Sequence, residues 1–210
     1  MVQPEDTVRS AKAGPEYGVG VYRDITEWAA GTPGWVQGLG ELVTKGGILV
    51  FVVLFVVQWW RPARATTERW RTLCSPPLVV AVVYVVSEIV KVWLHEERLC
   101  REIPGVRPIT SCPAPGDWSF PSNHHAVIAA ASALTLLLTW RLVGLLVLPL
   151  AILVALSRVY VGVHYLHDVA AGLLLGALVA PLLLGALAAP GNWAVGRLRG
   201  RRGLVPVLGR

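Results

Sequence analysis

Five stretches of this chain, each close to twenty residues long and nearly free of charge, dictate what it folds into. They run at about 42–60, 76–95, 122–139, 142–159 and 164–189. The hydrocarbon layer of a bilayer is ~30 Å thick, and about twenty helical residues cross it. Nothing there satisfies an unpaired backbone group, so a continuous run of this length is read as a helix. Valine dominates the second stretch and would favour a strand in water, but the length of the run favours a helix in lipid. Pro76-Pro77 suits a first helical turn, and Pro149 predicts a kink in the fourth stretch. Ala170, Ala171, Gly172, Gly176 and Ala177 permit close packing of the fifth. The expected fold is all-α, a polytopic transmembrane helix bundle of about five spans.

Before the first span, residues 21–43 carry Ile25, Trp28, Trp35, Val36, Leu39, Leu42 and Val43 at roughly helical spacing, interrupted by charges and glycines. That pattern predicts an amphipathic segment lying at the membrane interface. Three regions follow: a polar N-terminus with the interfacial segment (1–41), the transmembrane domain (42–190) and a basic tail (191–210). No apolar core lies near Met1, so a cleavable signal is not expected and the first span serves as the insertion signal. Hydrophobic residues make up 54% of the chain and charged ones 15%, too apolar a balance for an ordinary soluble domain. The net charge of +6 comes from arginines scattered between spans, not gathered on a polar face, which argues against a nucleic-acid partner.

Alternation of the spans places Arg61, Arg64, Arg69, Arg71, Arg141, Arg197, Arg199, Arg201, Arg202 and Arg210 on one side of the membrane. The positive-inside rule makes that side, with the C-terminus, cytoplasmic in a cell (plasma) membrane. The N-terminal segment, the 96–121 loop and the 160–164 turn then face outward. Cys100 and Cys112 both fall in the outward loop; a disulfide in an oxidising compartment and two free thiols are equally compatible with that. Cys74 falls on the cytoplasmic side and is expected to be reduced.

The outward side gathers ionisable groups beside apolar spans, where charge is costly and function is the default reading. Lys91 and Arg98 are seven residues apart, so two turns put them on one side if the helix continues. Arg158 closes the fourth span. Ser122, Asn123 and His124 open the third, where free backbone N–H groups and the helix dipole favour an anion. His164 and Asp168 are four apart and adjacent on a helix. A carboxylate on one imidazole nitrogen fixes the tautomer and leaves the other free to attack. His124 then remains as the acid for a leaving oxygen. Cations, a nucleophile and an acid are what cleavage of a phosphate ester or diphosphate requires. Blander roles compete: Lys91 lies one turn from Glu88 and is able to neutralise it, while His95, His125 and His167 read as packing or hydrogen-bonding residues.

These segments resemble the three signatures of the type 2 phosphatidic acid phosphatase superfamily, integral-membrane lipid phosphatases. The first, K-x6-R-P, is matched from Lys91 to Arg98, with Leu99 in place of proline. The second, P-S-G-H, is matched by Pro121-Ser122-Asn123-His124, with Asn123 for glycine. The third, S-R-x5-H-x3-D, is matched in full from Ser157 to Asp168. The resemblance implies that His164 is the nucleophile, forming a phosphohistidine, with Asp168 orienting it and His124 as general acid. It implies that Lys91, Arg98, Ser122, Arg158 and the backbone N–H of Asn123 hold the phosphate, and that no metal or other cofactor takes part. The expected partner is a membrane lipid phosphate, preferably a polyprenyl diphosphate such as undecaprenyl diphosphate. Phosphatidate and phosphatidylglycerol phosphate are the alternatives. Two other classes compete: a metal-dependent membrane hydrolase using His124, His125, His164, His167 and Asp168, and a non-catalytic transporter or scaffold. Three cations in one place repel a metal, and a chain that had lost catalysis would not be expected to keep both histidines.

Overall fold

Apolar length becomes helix throughout. The computed structural model describes residues 16–60, 75–103 and 105–199, with the backbone alone at 16, 17, 99, 102, 123, 124 and 188–199. In chain order the helices are α1 (Glu16–Ala30), α2 (Gly34–Trp59), α3 (Ser75–Leu94), a single turn α4 (Leu99–Glu102), α5 (Ile128–Thr139), α6 (Arg141–Tyr160) and α7 (Leu166–Arg199). A π-helical turn, Asn123–Val127, leads into α5. Among the described residues there is no strand. Among the described residues, four helices are long and apolar enough to cross a membrane: α2, α3, α6 and the Leu166–Leu187 part of α7. Their outward faces carry bare leucines, with Leu142 74%, Leu146 77% and Leu182 73% exposed. On helices of this length and hydropathy, such faces suit lipid. The chain is a multi-pass membrane protein.

The expected third span is the shortest of the five. α5 has 12 residues, and the apolar helix it forms with the π turn runs only from His125 to Thr139. It has no need to reach both faces, because it lies at the centre. Ala129 and Ala133 pack with Phe51 of α2 and with Val147, Ala151 and Val154 of α6. On its other side Ala131 packs with Val79 and Val83 of α3 and Ala180 of α7. Alanine at these positions lets four helices approach one axis closely.

The N-terminal segment also differs from the expected single amphipathic stretch over 21–43. It breaks at Thr32-Pro33, and residues from Gly34 onward belong to the first span. Proline has no N–H to give and disfavours a helical residue before it. Gln37 caps the end of α1, its Nε2 donating to Ala30 O at 3.2 Å and Thr32 O at 3.0 Å. α7 continues as helix to Arg199, into the basic tail. The linker arginines 61, 64, 69 and 71, Cys74, and arginines 201, 202 and 210 lie outside the described residues.

α7 reaches the π turn through its glycines. A Cβ on Gly172 would lie 2.5 Å from Ser122 O and 2.8 Å from Ala126 Cβ; one on Gly176 would lie 2.6 Å from Val127 O. Backbone cannot retreat as a side-chain tip does. Gly172→Ala is therefore expected to lower stability by roughly 1–3 kcal/mol, the usual overpacking cost. Thermal unfolding in detergent measures it; an unchanged midpoint would contradict this close approach.

Candidate active site

The site is built where helix ends and turns meet at one end of the bundle. Val79, Val83, Ser87 and Lys91 recur every four residues on the buried face of α3, so Lys91 ends a core stripe. His95, at φ 50°, turns the chain off the helix toward Arg98. The long loop that follows is pinned by a Cys100–Cys112 disulfide, with Cα atoms 5.9 Å apart. Arg101 donates to Pro113 O, and Ser119 N–H donates to Glu96 O at 2.7 Å. The α6–α7 turn needs Gly162, at φ 81°, where a Cβ would meet Pro108 at 3.0 Å. Tyr22 of α1 clamps this turn by donating its hydroxyl to Gly162 O at 2.7 Å, and burial pushes that phenol up to about 12.

Lys91 and Arg98 converge, but not along one helix face as expected: α3 ends at Leu94 and Arg98 returns from the loop beyond it. Both side chains are buried. Their partner is Asp117. Lys91 Nζ lies 2.6 Å from Asp117 Oδ1, and Arg98 NH2 lies 3.0 Å from Oδ2. Arg98 Nε donates to the Asp117 carbonyl at 2.8 Å. Burial alone would raise the Asp117 carboxyl, but the hydrogen bond and charge of Lys91 and Arg98 overcome it and hold the group at about 2. Lys91 thus pairs with Asp117 across the site, a partner other than the neighbouring Glu88. Among the described residues, two further donors are buried without a hydrogen-bond partner, Ser122 Oγ and Arg158 Nε, and the Arg158 guanidinium feels the charges of Arg98 and Asp117.

His164 sits between this cradle and Asp168. Its Nε2 faces Arg98 NH1 at 3.2 Å, and its Nδ1 lies 3.3 Å from Asp168 Oδ2. Arginine only donates, so Nε2 presents its lone pair and Nδ1 carries the proton toward the carboxylate. Burial first, then the charges of Arg98, Arg158 and Lys91, hold the imidazole well below the usual histidine range. Asp168 Oδ2 also accepts from Ser119 Oγ and from Tyr165 N–H at 3.1 Å. Its Oδ1 lies 3.2 Å from His167 Nε2, an ion-pair separation without hydrogen-bond alignment; that nitrogen is aligned instead to Glu96 Oε1 at 3.2 Å. Burial, and then the charge of Asp168, raise the Glu96 carboxyl, against the pull of His167.

The structure brings together Lys91, Arg98, Ser122, Arg158, His164 and Asp168. Asn123 and His124 are placed by backbone, in the π turn beside Ser122; their side chains lie outside the described residues. The turn is docked on α7 by Ser122 N–H donating to Asp168 O at 3.1 Å. Ser157 of the third signature faces elsewhere, accepting from Thr44 Oγ1 at 2.7 Å. Asp117, Ser119 and Glu96 were not anticipated. One signal did exist: beyond Glu102 the sequence holds only two acidic residues, Asp117 and Asp168, and both are here. Glu96, His167 and Asp168 have ligand atoms within 4.8 Å of one another, a set able to hold a metal ion; it keeps His167 and Asp168 of the set considered from sequence and adds Glu96.

A deprotonated ring nitrogen facing a cationic cradle, backed by a carboxylate, at the end of a transmembrane bundle, is equipped for phosphoryl chemistry at a membrane. The model of the PAP2 superfamily matches residues 48–189. The chain is 32% identical over 144 residues to the undecaprenyl-diphosphatase of Sulfolobus acidocaldarius, covering 67% of this chain and 69% of that one. It is 34% identical over 149 residues to the putative undecaprenyl-diphosphatase YbjG of Escherichia coli, covering 69% and 70%. Its fold matches the crystal structure of a PAP2-type phosphatidylglycerolphosphate phosphatase from Bacillus subtilis with a TM-score of 0.62, at 22% identity over 86% of this chain and 90% of that one. The chain belongs to the PAP2 superfamily. It is an integral-membrane lipid phosphatase.

The folded chain holds His164 neutral, whereas an unfolded histidine protonates near ~6.5. The folded state therefore loses stability as pH falls through that value. Nitrogen-15 NMR of labelled histidines, with His164→Gln for assignment, is expected to show a neutral Nδ1–H ring at pH 6. A doubly protonated ring at that pH would contradict the environment described.

Proposed function

We propose that this phosphatase removes the terminal phosphate of a polyprenyl diphosphate, undecaprenyl diphosphate being the preferred substrate, at the outer leaflet of the plasma membrane. His164 Nε2 attacks the terminal phosphorus in line while the P–O bond to the lipid phosphate breaks. His124 gives its proton to the departing oxygen. Lys91, Arg98, Arg158, Ser122 and the Asn123 N–H hold the phosphoryl oxygens. Water, deprotonated by His124, then attacks the phosphohistidine; the P–N bond breaks and inorganic phosphate leaves. Asp168 orients His164 throughout.

The observation that carries this reading is the orientation of His164, proton toward Asp168 and lone pair toward Arg98. The names of the two curated relatives support the diphosphate. The structural relative's name keeps phosphatidylglycerol phosphate as the second choice. The Cys100–Cys112 bond supports an outward site, because disulfides persist in oxidising compartments. The Glu96–His167–Asp168 convergence favours one rival, metal-dependent hydrolysis.

Phosphate release by the purified protein, tested on undecaprenyl diphosphate, phosphatidate and phosphatidylglycerol phosphate with and without EDTA, decides among these. The diphosphate is expected to turn over fastest and without regard to EDTA. His164→Ala is expected to abolish release, and His124→Ala to lower kcat by roughly 10²–10⁴. An acid-labile phosphoenzyme should form in wild type and be absent from His164→Ala. Loss of activity in EDTA would favour the metal reading, and a faster monoester would move the substrate.

A further inference from the structure

Asp117 occupies the place that the proposed function reserves for substrate. Its two carboxylate oxygens engage Lys91 and Arg98 separately, at 2.6 and 3.0 Å, much as two phosphoryl oxygens would. It differs from its partners in exposure. The Lys91 and Arg98 side chains are 4% and 3% exposed, and that of Asp117 is 41%. The carboxylate is thus a stopper on the solvent side of a buried cationic cradle. It stands on a short tether. Gly116, at φ 87°, precedes it; the disulfide at Cys112 and the Ser119–Glu96 hydrogen bond fasten the loop on either side.

Such a cradle at a membrane surface faces a problem of specificity. Bilayer headgroups crowd it, and the common anionic ones are phosphodiesters with a single negative charge. A terminal phosphate monoester or diphosphate is rarer and carries about two charges at neutral pH. An open cluster of three cations would bind the abundant ligand by mass action. A tethered carboxylate acts at a high effective concentration and matches the single charge of a diester. Only the more highly charged terminal phosphate has electrostatic advantage over it.

We propose that Asp117 is a specificity-determining residue, an internal competitor that keeps singly charged phosphodiester headgroups off Lys91 and Arg98 and yields to a terminal phosphate. This rests on the phosphatase reading of the site. Lys91 and Arg98 hold the carboxyl ionised across the physiological range, so the competitor is always present. Displacing the carboxylate costs every phosphate ligand affinity, and only a terminal phosphate, with its greater charge, binds tightly enough to bear that cost.

The test uses the full chain in non-ionic detergent micelles, with farnesyl diphosphate as substrate and phosphatidylglycerol as the competing diester. Phosphatidylglycerol is expected to inhibit Asp117→Asn at a concentration about tenfold lower than wild type, the scale of ~1.4 kcal/mol. The inhibition should raise KM and leave kcat alone, a split that a purely structural role would not give. Inorganic phosphate should likewise inhibit the variant more strongly. Equal sensitivity of the two proteins to phosphatidylglycerol overturns the proposal. A second arm needs no variant: in wild type, methyl phosphate should compete at least about tenfold better than dimethyl phosphate, whose charge is single. Equal competition by the two overturns the proposal even if Asp117→Asn fails to fold. Absence of any phosphate release by wild type overturns the phosphatase reading itself, and the filter with it.

Discussion

Burying positive charge at the end of an apolar bundle is the constraint on which the rest of this structure turns. Lys91, Arg98 and Arg158 project into one region, where they repel one another and forfeit hydration. Breaking such an arrangement by removing a counter-charge leaves uncompensated charge, which is far costlier than the intact pair. Asp117 and Asp168 are the compensation, and they arrive from opposite directions. Asp168 comes from the first turn of α7. Asp117 comes from a loop that would have no reason to stay there unless it were fastened. The Cys100–Cys112 bond, the Arg101–Pro113 contact and the Ser119–Glu96 hydrogen bond are those fastenings. Loop order is therefore a consequence of charge burial as much as of packing.

The same end of the molecule depends on how closely α7 approaches the π turn. Gly172 and Gly176 put helix backbone against the carbonyls of Ser122 and Val127. That contact sets the distance between Asp168 and the segment carrying Ser122, Asn123 and His124. A π turn widens the helix by one residue and is often found at functional sites. Here it lets Val127 N–H bond Ser122 O at 3.2 Å while Ser122 and Ala126 lie against Gly172 of α7. The alanines of α5 do related work one level down, drawing α2, α3, α6 and α7 together so that three separate sequence segments meet.

Much of this was legible in the sequence, for physical reasons. Helix in lipid is enforced by backbone satisfaction, so the apolar runs located α2, α3, α6 and α7. Charges beside spans are expensive, so Lys91, Arg98, Arg158, His164 and Asp168 stood out before any contact was known. What stayed hidden was set by closure in three dimensions. Asp117, Ser119 and Glu96 lie in a loop whose path follows from a disulfide and from long-range backbone bonds, none of which has a local period. The split of the N-terminal segment was signalled by Pro33, but the apolar spacing on both sides masked it. The shortness of α5 could not be read from hydropathy, because alanine-rich burial inside protein and burial in lipid look alike in composition.

The charges that make the site costly also solve a problem of reactivity. A histidine that is to use a ring nitrogen must keep it unprotonated, yet a neighbouring carboxylate such as Asp168 works the other way, favouring the imidazolium. At His164 burial and the three cations lower the ring's proton affinity and outweigh the opposing charge of Asp117. Asp168 is left to do what a carboxylate does at Nδ1: fix the tautomer and the ring's orientation. In the proposed reaction the balance then shifts. A phosphoryl group entering the cradle brings negative charge beside the ring, and as the new P–N bond draws positive charge onto the imidazole, Asp168 is already in place to stabilise it. One set of fixed charges thus disfavours a proton on His164 before substrate arrives and favours positive charge on it once substrate is bound. That reversal requires the cations to be neutralised by the ligand itself. It is the physical reason why a counter-ion in the cradle has to be one, like Asp117, that stands at the solvent edge where a ligand can replace it.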